Sequence, residues 1–103
     1  MTKERVIITF GEMLKEEFLE PMGVSQYQLA KAIGVSNTLI NKIVKNKTAL
    51  TPDIAYRFSL FFGNSFESWM NLKMYCDKQA IEEKYSRINL NIIPFSKRVL
   101  SYQ

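Results

Sequence analysis

Five side chains in the middle of this 103-residue sequence, Asn37, Thr38, Asn41, Lys42 and Lys45, have the types and spacing for ligand chemistry, and that chemistry is recognition rather than bond cleavage. An asparagine carboxamide sets a hydrogen-bond donor beside an acceptor, the pattern that pairs with the major-groove edge of adenine, while a threonine hydroxyl serves either role. Lysines supply the positive charge that phosphates attract. The five share an outward face if residues 37–45 are helical, because Ile40 and Ile43 then point the other way and Ser36 stands where a helix takes its amino-terminal cap. Lys42, Lys45 and Lys47, with Ser36 and the main-chain amides behind it, are placed to hold phosphates.

A short helix of this kind needs a neighbour, and the preceding residues provide one. Leu29 and Ile33 lie four apart on one helical face, Ala30 is small enough for close approach, Gly34 can take a positive φ without steric cost, and Val35 seals the turn. Ser25 and Gln28 have the spacing of a capping box. Leu29, Ala30, Ile33, Gly34, Val35, Ile40 and Ile43 together make the buried set of two helices crossing at a tight turn, so residues 25–49 read as a helix-turn-helix. The plainer alternative is a helical hairpin that never meets nucleic acid, with each lysine merely solvated. Charge weighs against it: residues 25–49 carry four basic and no acidic side chains, and residues 86–103 carry three and none. Residues 1–24 and 50–85 are each slightly acidic, so the net charge of +4 is concentrated where a polyanion would select it.

Composition excludes several classes of function. There is no histidine, which removes the commonest general base and metal ligand; Asp53 and Asp77 are isolated, and no glycine-rich phosphate loop occurs. An enzyme is therefore not expected, nor is a catalytic residue, a metal, another cofactor or a small-molecule substrate; the exclusion is weaker for phosphoryl transfer by lysine, tyrosine and arginine alone. The lone Cys76 cannot form an internal disulfide and reads as packed. With no signal-like or membrane-length apolar run, the sequence predicts a cytoplasmic protein with no membrane contact.

The length suits a single all-α domain over residues 1–85 and a tail over 86–103. A first helix starts at the Thr9–Glu12 capping box, places Met13, Leu14, Phe18 and Leu19 on one side, and ends at Pro21 and Gly23. The two reading-unit helices follow. Thr51, Pro52 and Asp53 open a fourth helix, with Ile54, Phe58, Phe61 and Phe62 as its stripe and Gly63-Asn64 as its stop. Asn64 or Ser65 caps a fifth, running to about Tyr85, with two stripes: Phe66, Trp69, Leu72 and Cys76, and a second of Met70, Met74, Ile81 and Tyr85. The second stripe predicts a homodimer; cover by the tail or by Val6, Ile7 and Ile8 is the competing expectation. In the tail Ile88, Leu90 and Ile92 alternate with Asn89 and Asn91, the period of a short strand that would pair with a copy of itself, join a partner's sheet or drape over the helices.

Over residues 10–84 the sequence resembles the HigA (VapI) antitoxins, small XRE-type repressors of bacterial toxin–antitoxin operons. The resemblance rests on Gly11 through Pro21, Ser25-Gln26, Leu29-Ala30, Ile33-Gly34-Val35, Ile40-Asn41-Lys42-Ile43, Thr51 through Ala55, Phe62-Gly63, Ser65 through Trp69, and Asn71-Leu72. It implies a lambda-repressor-like five-helix domain, dimeric on a palindromic operator, whose relatives neutralise a small RNase toxin of the HigB type. It further implies that Gln26 contacts a phosphate while Asn37, Thr38 and Asn41 face bases. The sequence departs from the commonest pattern at Thr9-Phe10, where His-Pro is frequent, and its tail after Tyr85 lies outside the shared motif. A solitary phage-type regulator without a toxin is the alternative reading.

Overall fold

Each helix of the domain begins at a hydroxyl side chain placed to satisfy its free amides. The computed structural model describes residues 8–96. Helix α1 spans residues 10–22 in three continuous pieces: α-helical over Phe10–Met13, π-helical over Leu14–Leu19 and α-helical again over Glu20–Met22. Helices α2 (Gln26–Ile33), α3 (Asn37–Val44), α4 (Pro52–Phe62) and α5 (Phe66–Lys84) follow, with no strand among the described residues. Thr9, Ser25, Ser36, Thr51 and Ser65 are the five N-caps, each accepting from a backbone amide three residues on, and Thr9–Glu12 and Ser25–Gln28 close full capping boxes.

The expectation that Pro21 ends α1 is corrected. The helix runs through it to Met22, and Gly23 stops it at φ +68°. Proline lacks the amide an α-helix needs and its ring crowds the carbonyl four residues back. The π-turn removes that conflict by shifting the ladder, so that Glu20 N–H bonds to Lys15 O, five residues away. It also stacks residues five apart, which is why both Leu14 and Leu19 reach the core.

Trp69 is the centre of that core. It is fully buried, with ring centroids of Phe18, Phe58, Phe62 and Phe10 at 4.6, 5.1, 5.2 and 6.1 Å, and its Nε1–H donates to Asn64 Oδ1 at 2.5 Å. Cys76 is buried about two turns further along α5, and burial, then the neighbouring Asp77 carboxylate, raise its thiol pKa. No described residue after Cys76 is buried, so the distal half of α5 leaves the domain.

Alternation in the tail does not yield a strand. Asn91 sits at φ +58° and its amide bonds to Asn89 Oδ1 at 2.8 Å, a local turn that breaks the extended run, and Ser86 through Ser96 are exposed. Val6 and Ile7 lie outside the described residues; Ile8 lies in the cleft lined by Phe10, Ile43, Leu50 and Cys76.

Gly11 is where α1 meets α3. A Cβ there would lie 2.1 Å from the backbone oxygen of Val44. Gly11→Ala must push the two helices apart, an overpacking cost of about 1–3 kcal/mol or more. Gly23→Ala, whose added methyl meets nothing within 4 Å, bears only the left-handed backbone penalty of about 1–2 kcal/mol. Urea unfolding of both, with similar m values, should rank Gly11→Ala as the more damaging; the reverse order would contradict the close approach.

Candidate nucleic-acid interface

The candidate surface is one side of a helix whose other side is core. In α3, Ile40 and Ile43 are buried, Leu39 and Val44 are half-buried against the core, and Asn37, Thr38 and Lys42 are exposed, as are Lys45 at its C-cap and Lys47 in the turn beyond. Ser36 Oγ accepts from the Leu39 amide at 3.0 Å, so the hydroxyl oxygen serves the helix. Lys31, the remaining cation of residues 25–49, is also exposed, with its ammonium 6.0 Å from the Tyr27 ring centre. All four lysines of residues 25–49 are thus solvent-facing, and none of the ion pairs formed on α4 and α5 involves them.

Two of the expected contact residues meet each other. Asn41 is half-buried, not fully exposed, and its Nδ2 donates to Gln26 Oε1 at 3.1 Å. Gln26 is the first residue of α2, beside the free amides of that helix start. Asn37 and Thr38 share the α3 face without a hydrogen bond to either residue.

The turn itself is built as expected in one respect and not in another. Gly34 takes φ +77° and the Val35 amide bonds back to Ala30 O at 3.0 Å, closing α2 with a left-handed glycine. Gly34 is nonetheless exposed, so it belongs to the corner's backbone and not to its buried set; Val35 is half-buried.

Sequence reasoning missed two residues that hold the unit in place. Arg57 of α4 donates through Nη1 to the Ile33 carbonyl at 2.7 Å, capping the end of α2, and through Nε to Asp53 Oδ2 at 3.1 Å. Asn46, at φ +59°, accepts from the Gly11 amide at 2.9 Å and donates through Nδ2 to Thr9 Oγ1 at 2.9 Å, tying the end of α3 to the start of α1. The Arg57–Ile33 contact and both Asn46 contacts join residues 24 or more positions apart. The only local hint was an asparagine just past a helix end, a type that tolerates the left-handed conformation.

On α5, Met74 and Ile81 are exposed and with Met70 line a surface groove of about 550 Å³ flanked by Lys73, Asp77, Lys78 and Glu82. Met70 is half-buried against the core, and Tyr85, also half-buried, does not line the groove. Among the described residues no three acids, cysteines or histidines cluster as a metal site, and no helix is long and apolar enough to cross a membrane.

The helix-turn-helix family matches residues 15–69, which defines the class: a helix-turn-helix DNA-binding domain. Virulence-associated protein I of Dichelobacter nodosus is 43% identical over 84% of this chain and 79% of its own, and antitoxin HigA-1 of Vibrio cholerae 37% identical over 82% and 78%. The solved structure of Pseudomonas aeruginosa antitoxin HigA with the higBA promoter superposes with a TM-score of 0.76 at 31% identity, covering 87% of this chain and 99% of that one. The chain belongs to the HigA/VapI family of helix-turn-helix antitoxins. This is a family of DNA-binding transcriptional repressors and not of enzymes.

Arg57 offers a test of the corner. Arg57→Met keeps the apolar stem and removes the cap on Ile33 O, with an expected loss of about 1–2 kcal/mol in denaturant unfolding. Asp53→Asn, which weakens only an exposed pair, should change stability by less than about 0.5 kcal/mol.

Proposed function

We propose that this chain represses its own operon by inserting α3 into the major groove of an operator, with Asn37, Thr38 and Asn41 reading base edges. Gln26, Ser36, Lys42, Lys45 and Lys47 then hold the flanking phosphates. The carrying observation is the α3 flank: its polar and basic side chains are presented outward while Ile40 and Ile43 anchor the opposite side in the core. The structure of HigA with the higBA promoter, similar across 87% of this chain, supports DNA as the ligand here.

A homodimer would let two such helices address a palindrome, with half-site centres about 34–36 Å apart or a multiple of that. The face around Met70, Met74, Ile81 and Tyr85 is the proposed contact. In support, Met74 is 62% and Ile81 53% exposed, and the described tail, itself exposed, does not cover them. The second partner is a small RNase toxin of the HigB type, a reading supported by the antitoxin names of the relatives.

Binding of the full chain to its upstream DNA across a salt series tests the first part. Asn37→Ala should cost on the order of 1–3 kcal/mol and relax preference at one base pair. Lys45→Ala should weaken binding to all sequences and reduce the salt slope by about 1. Indifference of the wild type to sequence would sink the assignment. Co-purification with the product of an adjacent short gene supports the toxin, and its failure leaves a solitary regulator.

The dimer has its own test. Met74→Asp with Ile81→Asp should leave the helical content unchanged, since both side chains are exposed on the single subunit, yet sediment as a monomer, melt at a temperature that no longer rises with protein concentration, and lose affinity for a palindrome. A wild type that is monomeric at micromolar concentration would refute this interface.

A further inference from the structure

We infer that Asn46 is a positioning residue for phosphate binding: its carboxamide pins the turn after α3 to the start of α1, so that Lys45 and Lys47 approach the DNA backbone from a fixed origin. The inference rests on the phosphate roles proposed for those two lysines and goes beyond them, because it makes affinity depend on a side chain whose polar atoms are satisfied inside the protein.

The turn closes without that side chain. The Asn46 amide bonds to Ile43 O at 3.0 Å and the Lys47 amide to Lys42 O at 2.8 Å, so the backbone leaves α3 on its own hydrogen bonds. The left-handed φ of +59° is met by asparagine and, at lower cost, by glycine. What asparagine adds is a pair of long-range bonds. Its Oδ1 accepts from the Gly11 amide and its Nδ2 donates to Thr9 Oγ1, each at 2.9 Å, from residues 35 and 37 positions away.

The two ends of the carboxamide cannot be exchanged. Gly11 offers a backbone N–H and therefore requires an acceptor. Thr9 Oγ1 gives its hydrogen to Glu12 Oε1 at 3.0 Å and accepts from the Glu12 amide at 3.2 Å, which leaves it one lone pair in need of a donor. Asparagine meets both demands with one rigid planar group, whereas aspartate would set a lone pair against a lone pair at Thr9. The turn is thereby fixed to α1, an element itself anchored in the core through Phe10 and Leu14.

The lysines inherit that restraint. Lys45 is the C-cap of α3 and Lys47 follows the pinned residue; both are exposed, and neither side chain forms a hydrogen bond or ion pair among the described residues. The bond from the Lys47 amide to Lys42 O joins the backbone of a third cation to the same turn. A lysine is a point charge on a flexible stem, so the place of its backbone decides how much of its reach covers a phosphate. Fixing that place before DNA arrives removes part of the ordering cost of binding. Phosphates are alike at every base pair, so the gain falls on affinity and not on sequence preference.

The test is titration of the full chain with its upstream DNA and with unrelated duplexes across a salt series, at a temperature where circular dichroism shows each variant fully folded. Asn46→Gly suits the left-handed turn and removes both long-range bonds. Affinity should fall about five- to tenfold on every duplex, the salt slope should flatten by about 1, and the preference between duplexes should stay within about twofold of wild type. Thr9→Ser keeps the hydroxyl and should bind within about twofold of wild type. In a Lys45→Ala, Lys47→Ala background, Asn46→Gly should cost less than about twofold more, because nothing is left to position. If Asn46→Gly binds every duplex as wild type does, or costs as much without the two lysines as with them, Asn46 braces the fold alone and the inference is refuted. A changed preference between duplexes would also refute it, by placing the effect on the base readers. If Lys45→Ala with Lys47→Ala leaves affinity and salt slope unchanged, the phosphate role of the turn fails first, and the inference with it.

Discussion

An eight-residue helix cannot stand alone in water, and α3 is the element on which this protein's surface chemistry depends. Isolated helices shorter than about 12–15 residues are marginal even with favourable composition, so tertiary contacts must impose both the existence and the orientation of α3. Ile40 and Ile43 provide the apolar anchor. The close approach of Gly11 to the Val44 carbonyl, bridged by Asn46, fixes the far end, and the Arg57 cap on Ile33 fixes the corner from which α3 departs. The outward flank is a consequence of which side these contacts bury. Asn37 and Thr38 are exposed because two isoleucines three residues apart leave them no other side to occupy.

How much of this was legible follows the range of the interactions. All five caps lie within three residues of the amides they satisfy, so a local pattern finds them; the stripes of α2, α3 and α4 follow for the same reason. What failed was non-local or depended on departure from ideal geometry. Pro21 reads as a helix end only if the ladder before it is α, and the π-turn over Leu14–Leu19 carries no simple signature. Asn46, Arg57 and the Gln26–Asn41 pair bridge 15 to 37 positions, and nothing local marks their partners. The tail shows the opposite error: Ile88, Leu90 and Ile92 have the period of a strand, but a strand needs a partner, and the Asn89–Asn91 turn competes successfully for the backbone.

Charge and shape divide the molecule along consistent lines. The basic side chains of residues 25–49 project from α2, α3 and the turn after α3, a region with no carboxylate of its own, whereas Glu12, Glu16, Glu17 and Glu20 are exposed on α1. A polyanion approaching this surface finds the positive flank first and is disfavoured in orientations that present α1. Helix α5 extends past its last buried residue, Cys76, with apolar side chains in the open. The two surfaces lie on separate elements, so a change in one can leave the other folded.

Within the proposed reading surface, burial is graded. Lys42, Lys45, Asn37 and Thr38 are exposed, and their rotamers must be ordered when a ligand binds, at about 0.5–1.5 kcal/mol for each long side chain immobilised. Asn41 has met most of that cost during folding, because it is half-buried and held by Gln26. A contact from a side chain already in place gains more net free energy than the same contact from a free one, and it also rejects a wrong partner more sharply, since the amide cannot swing away without giving up the bond to Gln26. On the proposed reading, Asn41 is therefore the sharpest of the three base-facing side chains, and Asn37 and Thr38 read at a higher ordering cost. The same tertiary contacts that make α3 a helix thus also decide which of its polar groups can be selective.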